Sequence, residues 1–234
     1  MNAIEVRGLT KRYGKFSALN NLSVSLEAGN IVGLLGENGC GKTTLLKVLA
    51  GMLLQYDGDV QIAGHRPGPE SKSLVSFLPD ESFLADGDTI AECADMFTDY
   101  FADSNRSKFD DLIEFFKLEQ SMKLNALSKG MREKAQIALA MSRDAKVFLL
   151  DEPISGVDPA ARDVILKAVV RNLEPDSLVV ISTHLISDVE PILDRVIMMR
   201  HGQVLIEGAV DDLRAQHNQS MDQLFREVYQ WSAN

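Results

Sequence analysis

Cysteine is scarce in this chain: Cys40 and Cys93 are the only two. They show neither metal-ligand spacing nor the pattern of a disulfide framework, which points to a reducing compartment. Basic residues are in the minority as well, 24 Lys and Arg against 34 Asp and Glu for a formal net charge of −10, and they form no cluster. A surface of that sign repels a phosphate backbone, so nucleic acid is not an expected partner. The longest apolar stretches, such as 43–54, are interrupted by charge and stop short of the roughly 20 residues a membrane span needs. At the start, Met1-Asn2-Ala3-Ile4-Glu5 lacks a basic region leading into an apolar core and a cleavage site, so the expected location is the cytoplasm. Repeats, low-complexity tracts and linkers are missing too. What remains is 234 residues, 45% of them hydrophobic, expected to fold as one domain over 1–234 with a sizeable core.

Short β-branched and apolar runs alternate with helical-period segments, the pattern of an α/β domain with a mostly parallel core sheet. Residues 4–7 and 22–27 alternate apolar and polar, as strands with one wet face do, and predict an N-terminal antiparallel β subdomain. Further strands are expected at 31–35, 60–62, 74–78, 147–150 and 178–182, with a hairpin over 195–207 turning at His201-Gly202. Between about 88 and 143 the strands stop and helical periods take over at 89–100, 108–116 and 131–142, which predicts an inserted α-helical subdomain. From about 210 to 234 the tail is expected to be helical in two pieces, with Leu213, Met221, Leu224, Phe225 and Val228 packing back on the body.

Chemistry concentrates first at Gly36-Glu37-Asn38-Gly39-Cys40-Gly41-Lys42-Thr43. This is a phosphate-loop pattern, and it lies where the mechanism requires, after the strand at 31–35 and before a helix over 42–50. Glycines let backbone N–H groups curl around anionic oxygens at a positive helix end, Lys42 reaches the β- and γ-phosphates, and Thr43 offers a hydroxyl to Mg²⁺. Gly36, Asn38, Gly39, Cys40, Gly41, Lys42, Thr43 and Thr44 are thus the expected nucleotide-binding residues. A thiol at a helix N-terminus invites a redox role for Cys40, but small-residue packing is the expected one. The second concentration is Val147-Phe148-Leu149-Leu150-Asp151-Glu152, an apolar strand ending in two carboxylates. That arrangement puts Asp151 near the metal and Glu152 beside the attacking water.

With these two motifs in place, the rest of the chain resembles the ATP-binding cassette (ABC) ATPases along almost its whole length, motif by motif and in order. Leu127-Ser128-Lys129-Gly130-Met131 is similar to that family's signature, at the start of a helix. The resemblance implies that Ser128 and Gly130 cap the γ-phosphate bound to a partner subunit, in a head-to-tail ATP sandwich dimer. Ser155-Gly156-Val157-Asp158 resembles the D-loop that crosses that interface, and Ser182-Thr183-His184 the switch whose histidine contacts the γ-phosphate. Outside that context His184 would read as a structural histidine. Tyr13 matches the aromatic that family members stack on adenine; burial in the core is its other reading.

Two departures stand out. Leu78-Pro79-Asp80-Glu81 occupies the family's Q-loop, with Asp80 where glutamine touches metal and water; Glu81, being longer, is the alternative ligand. Lys129 and Met131 replace the usual glycine and glutamine of the signature. A Ser-Lys-Gly-Met signature resembles drug-, antibiotic- or lipid-exporter ATPases of the ABC-2 type, whose membrane subunit is a separate chain. The resemblance implies a P-loop NTPase that binds ATP and Mg²⁺, with Glu152, His184 and Lys42 catalytic and Thr43, Asp80 and Asp151 at the metal. It also implies a homodimer or a heterodimer with another such ATPase, bound to transmembrane permease subunits on the inner face of the cell membrane. The segment 83–101, with Phe83, Leu84, Met96 and Phe97, lies where the family receives the membrane subunit. The other readings are a non-transport ABC ATPase, such as one serving cluster assembly, and a weakly hydrolysing regulatory module.

Overall fold

The computed structural model describes residues 2–231. β1 (Asn2–Tyr13) and β2 (Phe16–Glu27) form a long antiparallel ribbon. Along β2 the apolar Leu22, Val24 and Leu26 are buried while Ser23, Ser25 and Glu27 face out, the period of a half-buried strand. β3 (Ile31–Leu35) runs into α1 (Lys42–Leu49), and β4 (Asp57–Ile62) returns to pair with β1. After the short α2 (Pro69–Ser73) come β5 (Val75–Leu78), α3 (Ile90–Tyr100), α4 (Arg106–Phe116) and α5 (Lys129–Met141). β6 (Val147–Asp151), α6 (Pro159–Arg171), β7 (Leu178–Thr183) and α7 (Ile186–Val189) follow. The hairpin β8 (Arg195–Arg200) and β9 (Gln203–Ala209) leads to α8 (Val210–His217) and α9 (Met221–Trp231).

Among the described residues the strands form a three-stranded antiparallel sheet, β2-β1-β4, and a six-stranded sheet, β5-β6-β7-β3-β8-β9. The second is parallel from β5 to β8, and only β9 runs against it. β3, β6 and β7 are buried along their whole length, as parallel strands covered on both faces are. On one face lies a core of α1 and the antiparallel sheet; on the other, a core shared with α3 to α6 and the C-terminal helices. This is the expected α/β P-loop architecture, with the helical insertion between β5 and β6.

Boundaries differ from the expectation where local chemistry overrides period. β1 and β2 are longer than their alternation suggests because register shifts interrupt it at several points along the pair, each moving residues to the other face. α6 was not anticipated, although Asp158 caps it by accepting from Ala161 N (3.0 Å) and Pro159 starts it, a recognised helix opening. The tail is helical in two pieces as expected, with Leu213, Met221 and Leu224 buried and Phe225 and Val228 packed against the core; residues 232–234 lie outside the described part. At the β8–β9 turn His201 (φ 48°) and Gly202 (φ 74°) are both left-handed, which fits a tight hairpin turn.

Arg143, just after α5, ties the helical insertion to the core sheet. It is 3% exposed, pairs with Asp103 (3.0 Å), donates to Val75 O (2.6 Å) and Ser73 O (3.2 Å), and lies 4.1 Å over the Phe101 ring. Arg143→Ala leaves two carbonyls and a carboxylate without their donor, so an expected loss of about 3 kcal/mol should appear in urea unfolding. A loss under about 1 kcal/mol would mean that water replaces the guanidinium at little cost.

Candidate functional site

β6, β7 and β3 lie side by side, and their register sets Asp151 opposite Ser182 and Leu35 opposite Thr183. Everything that leaves the C-terminal ends of these strands therefore emerges at one level, the usual place for ligands in an open α/β sheet. The phosphate loop follows β3, Glu152 follows β6 and His184 follows β7.

The loop is shaped by its glycines. Gly41 has φ 113°, and a Cβ there would come within 2.6 Å of Ala18 O, so no other residue fits. Helix α1 begins at Lys42, and the first-turn N–H groups of a helix have no partner within it. Lys42 is 5% exposed; its Nζ donates to Gly36 O (2.7 Å) and Glu37 O (3.3 Å) and lies 3.6 Å from Glu152 Oε1.

Glu152 is the centre of a chain of contacts. Its N–H donates to Ser182 Oγ (3.1 Å) and Ser182 O (3.0 Å), and its Oε2 accepts from His184 Nδ1 (3.0 Å). A carboxylate only accepts, so Nδ1 carries the ring proton. Glu152 has φ 50°, a left-handed conformation costly for a residue with a Cβ and concentrated at functional sites. The Ser182 hydroxyl donates to Asp151 Oδ1. Asp151 is 1% exposed, and its Oδ2 has no hydrogen-bond partner among the described residues.

A cavity of 290 Å³ is lined by Tyr13, Phe16, Ala18, Asn38, Gly39, Gly41, Lys42, Thr43, Thr44, Asp80 and Glu152. Of the two Q-loop acids, Asp80 lines it and Glu81 does not. Tyr13 is 49% exposed, which excludes its reading as a core residue. Phe16, 62% exposed on the same hairpin, was not anticipated; two aromatics flanking Gly14-Lys15 were its sequence signal. Gly36 and Cys40 lie beneath the loop, both buried. Burial raises both thiols, Cys93 to about 11, which agrees with packing for Cys40 rather than redox chemistry. A larger cavity of 470 Å³, bordered by Ala3, Ala28, Ala63 and the Lys146–Asp176 pair, sits at the opposite ends of β6 and β7 and has none of the loop's anion-binding groups.

Ser128, Gly130 and Asp158 do not line the 290 Å³ cavity but gather elsewhere. Ser128 caps α5 by accepting from Met131 N (3.3 Å). A Cβ on Gly130 would sit 3.7 Å from Val157 Cγ1 and 3.8 Å from Asp158 Oδ2, while one on Gly156 would meet Lys129 Nζ at 2.2 Å. The signature and D-loop segments thus pack on each other within one chain.

A parallel α/β core with a Gly-rich loop before a helix, a lysine folded into it and an acid pair on a neighbouring strand defines a phosphate-loop nucleotide-binding protein. The chain matches the ABC transporter family over residues 19–155 and belongs to that family. It is 33% identical over 218 residues to "Nod factor export ATP-binding protein I" of Ralstonia nicotianae, covering 90% of this chain and 68% of that protein. The protein of the same name in Burkholderia orbicola is 34% identical over 215 residues, covering 88% and 70%. Among solved structures, an "ATP binding subunit of ABC transporter" superposes with a TM-score of 0.87 at 26% identity over 97% of this chain and 99% of that one. The chain is the ATP-binding, ATP-hydrolysing subunit of an ABC transporter and works with transmembrane subunits. Among the described residues no helix is long and apolar enough to cross a membrane.

Beside the site, burial raises the Glu133 carboxyl on α5 to about 7, with Lys129 and Arg132 opposing and Asp80 reinforcing the rise. The unfolded carboxyl ionises near its ordinary 4.5, so the folded protein binds more protons between the two values and loses stability as pH rises through that window. Glu133→Gln should therefore melt higher than the parent above about pH 7 and lose that advantage towards about pH 4. Melting profiles of equal slope in the two proteins would remove Glu133 as the titrating group.

Proposed function

We propose that residues 1–234 work as one cassette, with 88–143 as its helical subdomain and 210–234 as its tail, and that two such subunits close on two ATP molecules. The observation that carries this reading is the Glu152 carboxylate held between Lys42 and His184, on a left-handed backbone position, at the mouth of a phosphate loop. In each subunit the N–H groups of Gly39 to Thr44 and the Lys42 ammonium take the phosphates, with Gly36, Asn38 and Cys40 shaping the loop around them. Tyr13 and Phe16 offer aromatic faces to the adenine, a contact worth about 1 kcal/mol beyond the buried area.

Lys42 pairs with Glu152 and with loop carbonyls. Phosphate oxygens compete for the same ammonium, and when they take it the carboxylate is freed to accept a proton from the attacking water. His184 donates from Nδ1 to Glu152, which fixes the carboxylate, and Nε2 would donate to the γ-phosphate only in a ring that carries a proton on both nitrogens. The partner's Ser128 and Gly130, at the start of α5, face that phosphate from the other side, and Asp158 lies on the same dimer-facing cluster. Preorganised donors around developing charge are the usual source of such acceleration.

The acid residues fit Mg²⁺: a buried Asp151 Oδ2 without a partner calls for a cation. Thr43 and Asp80, both on the cavity, complete the protein's share with Asp151, and few protein ligands are what Mg²⁺ bound to phosphates requires. Bound there, Mg²⁺ would neutralise charge on the phosphates.

The names of the curated relatives, both export ATP-binding proteins, and the Ser-Lys-Gly-Met signature support an exporter of the ABC-2 type. We place it in the cytoplasm, peripheral on the inner face of the cell membrane, as a homodimer or heterodimer with a second ATPase subunit. Purification from native membranes should yield a complex with a multi-span partner that changes the ATPase rate; a partner-free enzyme would favour a non-transport role. Lys42→Ala should abolish ATP binding. Glu152→Gln should cut turnover by about 10²- to 10⁴-fold and accumulate an ATP-bound dimer on size exclusion; near-parent turnover would exclude Glu152 as the base.

A further inference from the structure

Helix α9 brings Tyr229 against the underside of the phosphate loop. The phenol O–H donates to Met199 O on β8. A Cβ on Gly36 would lie 2.8 Å from Met199 O, 3.3 Å from Tyr229 Oη and 2.4 Å from Cys40 Sγ, so glycine is what lets the three close on one another.

The Glu37 N–H and the Gly36 C=O belong to one peptide group, which is planar and points them in opposite directions. Its C=O accepts from Lys42 Nζ (2.7 Å), and Tyr229 packs against its Gly36 end. A displacement of Gly36 would move the lysine's partner and disturb the Tyr229–Met199 contact together.

The tyrosine is itself fixed. It is 6% exposed, stacks on Phe225 with centroids 4.1 Å apart, and has the Arg200 guanidinium 5.6 Å from its ring centre. Burial, then the nearby Cys40 and Glu37, push its phenol upward, which keeps it a neutral donor near pH 7. At the other end of α9, Met221 and Leu224 are buried in the core, and Glu190 accepts from Met221 N (3.1 Å) and Arg214 Nε (2.8 Å).

We propose that Tyr229 is a positioning residue for nucleotide binding: it holds the Gly36–Glu37 peptide, and through that peptide Lys42, so that ATP affinity depends on the C-terminal helix. This rests on the phosphate-loop reading above. Tyr229→Phe in the full chain keeps the ring and removes only the hydroxyl. It should raise KM for ATP, and weaken binding of a fluorescent ATP analogue, about three- to tenfold with kcat within about twofold, the span expected for one lost hydrogen bond.

KM and analogue affinity within about twofold of the parent would overturn the proposal whatever happens to the melting temperature, because a merely structural tyrosine changes stability alone. A fall in kcat at constant KM would overturn it as well. Lys42→Ala in the same binding assay separates the two claims: if that variant binds the analogue like the parent, the phosphate-loop reading fails, whereas its loss of binding beside an unaffected Tyr229→Phe variant sinks only the tyrosine.

Discussion

Parallel strands buried on both faces have little freedom in where they stop, because each must keep its ladder partners and its side chains between two packed layers. In this chain that constraint ends β3, β7 and β6 in step, Leu35 beside Thr183 and Ser182 beside Asp151. The polar centre follows from it. Ser182 spans the two strand ends, donating to Asp151 and accepting from the Glu152 amide, and Glu152 turns left-handed at once to face Lys42 and His184. A one-residue slip of β6 against β7 would carry Asp151 away from Ser182 and exchange the faces of both acids.

Much of this was legible in the residues, for physical reasons. A run of glycines before Lys-Thr has few conformations open to it that do not expose backbone N–H groups. An apolar run such as 147–150 must be buried, so charges at its end must sit at a strand mouth. Asp151, Glu152, Lys42 and the loop were therefore placed by local pattern alone. Phe16 was not, because bulges hide the period of β1 and β2; α6 was not, because its apolar residues were read without their Asp158-Pro159 opening. Tyr229 could not be: it lies 193 residues after Gly36 (229 − 36), and no local pattern links a tail aromatic to a loop beneath which it packs.

The departures from the family pattern also make physical sense together. Lys129, standing where the signature has a glycine, brings its ammonium over Gly156, whose φ of 70° suits glycine. Lys129 also opposes the burial-driven rise of Glu133, one turn further along α5, while Asp80 works in the opposite direction. Asp80 and Lys129 thus act on the same carboxyl with opposite sign.

Seen this way, the phosphate loop is bounded on two sides by parts of the chain that answer to different bodies. Glu152 on one side follows β6, which continues into the D-loop and α6 against which the signature segment packs, and His184 follows the neighbouring β7. On the other, the Gly36–Glu37 peptide leans on β8 and on α9, whose anchor is the Glu190–Arg214 pair and the buried Met221. The second support is independent of the acid pair and of the signature helix. A change in α9 would therefore reach the loop through Gly36 without passing through Glu152 or His184, which separates a handle on nucleotide binding from the catalytic acid.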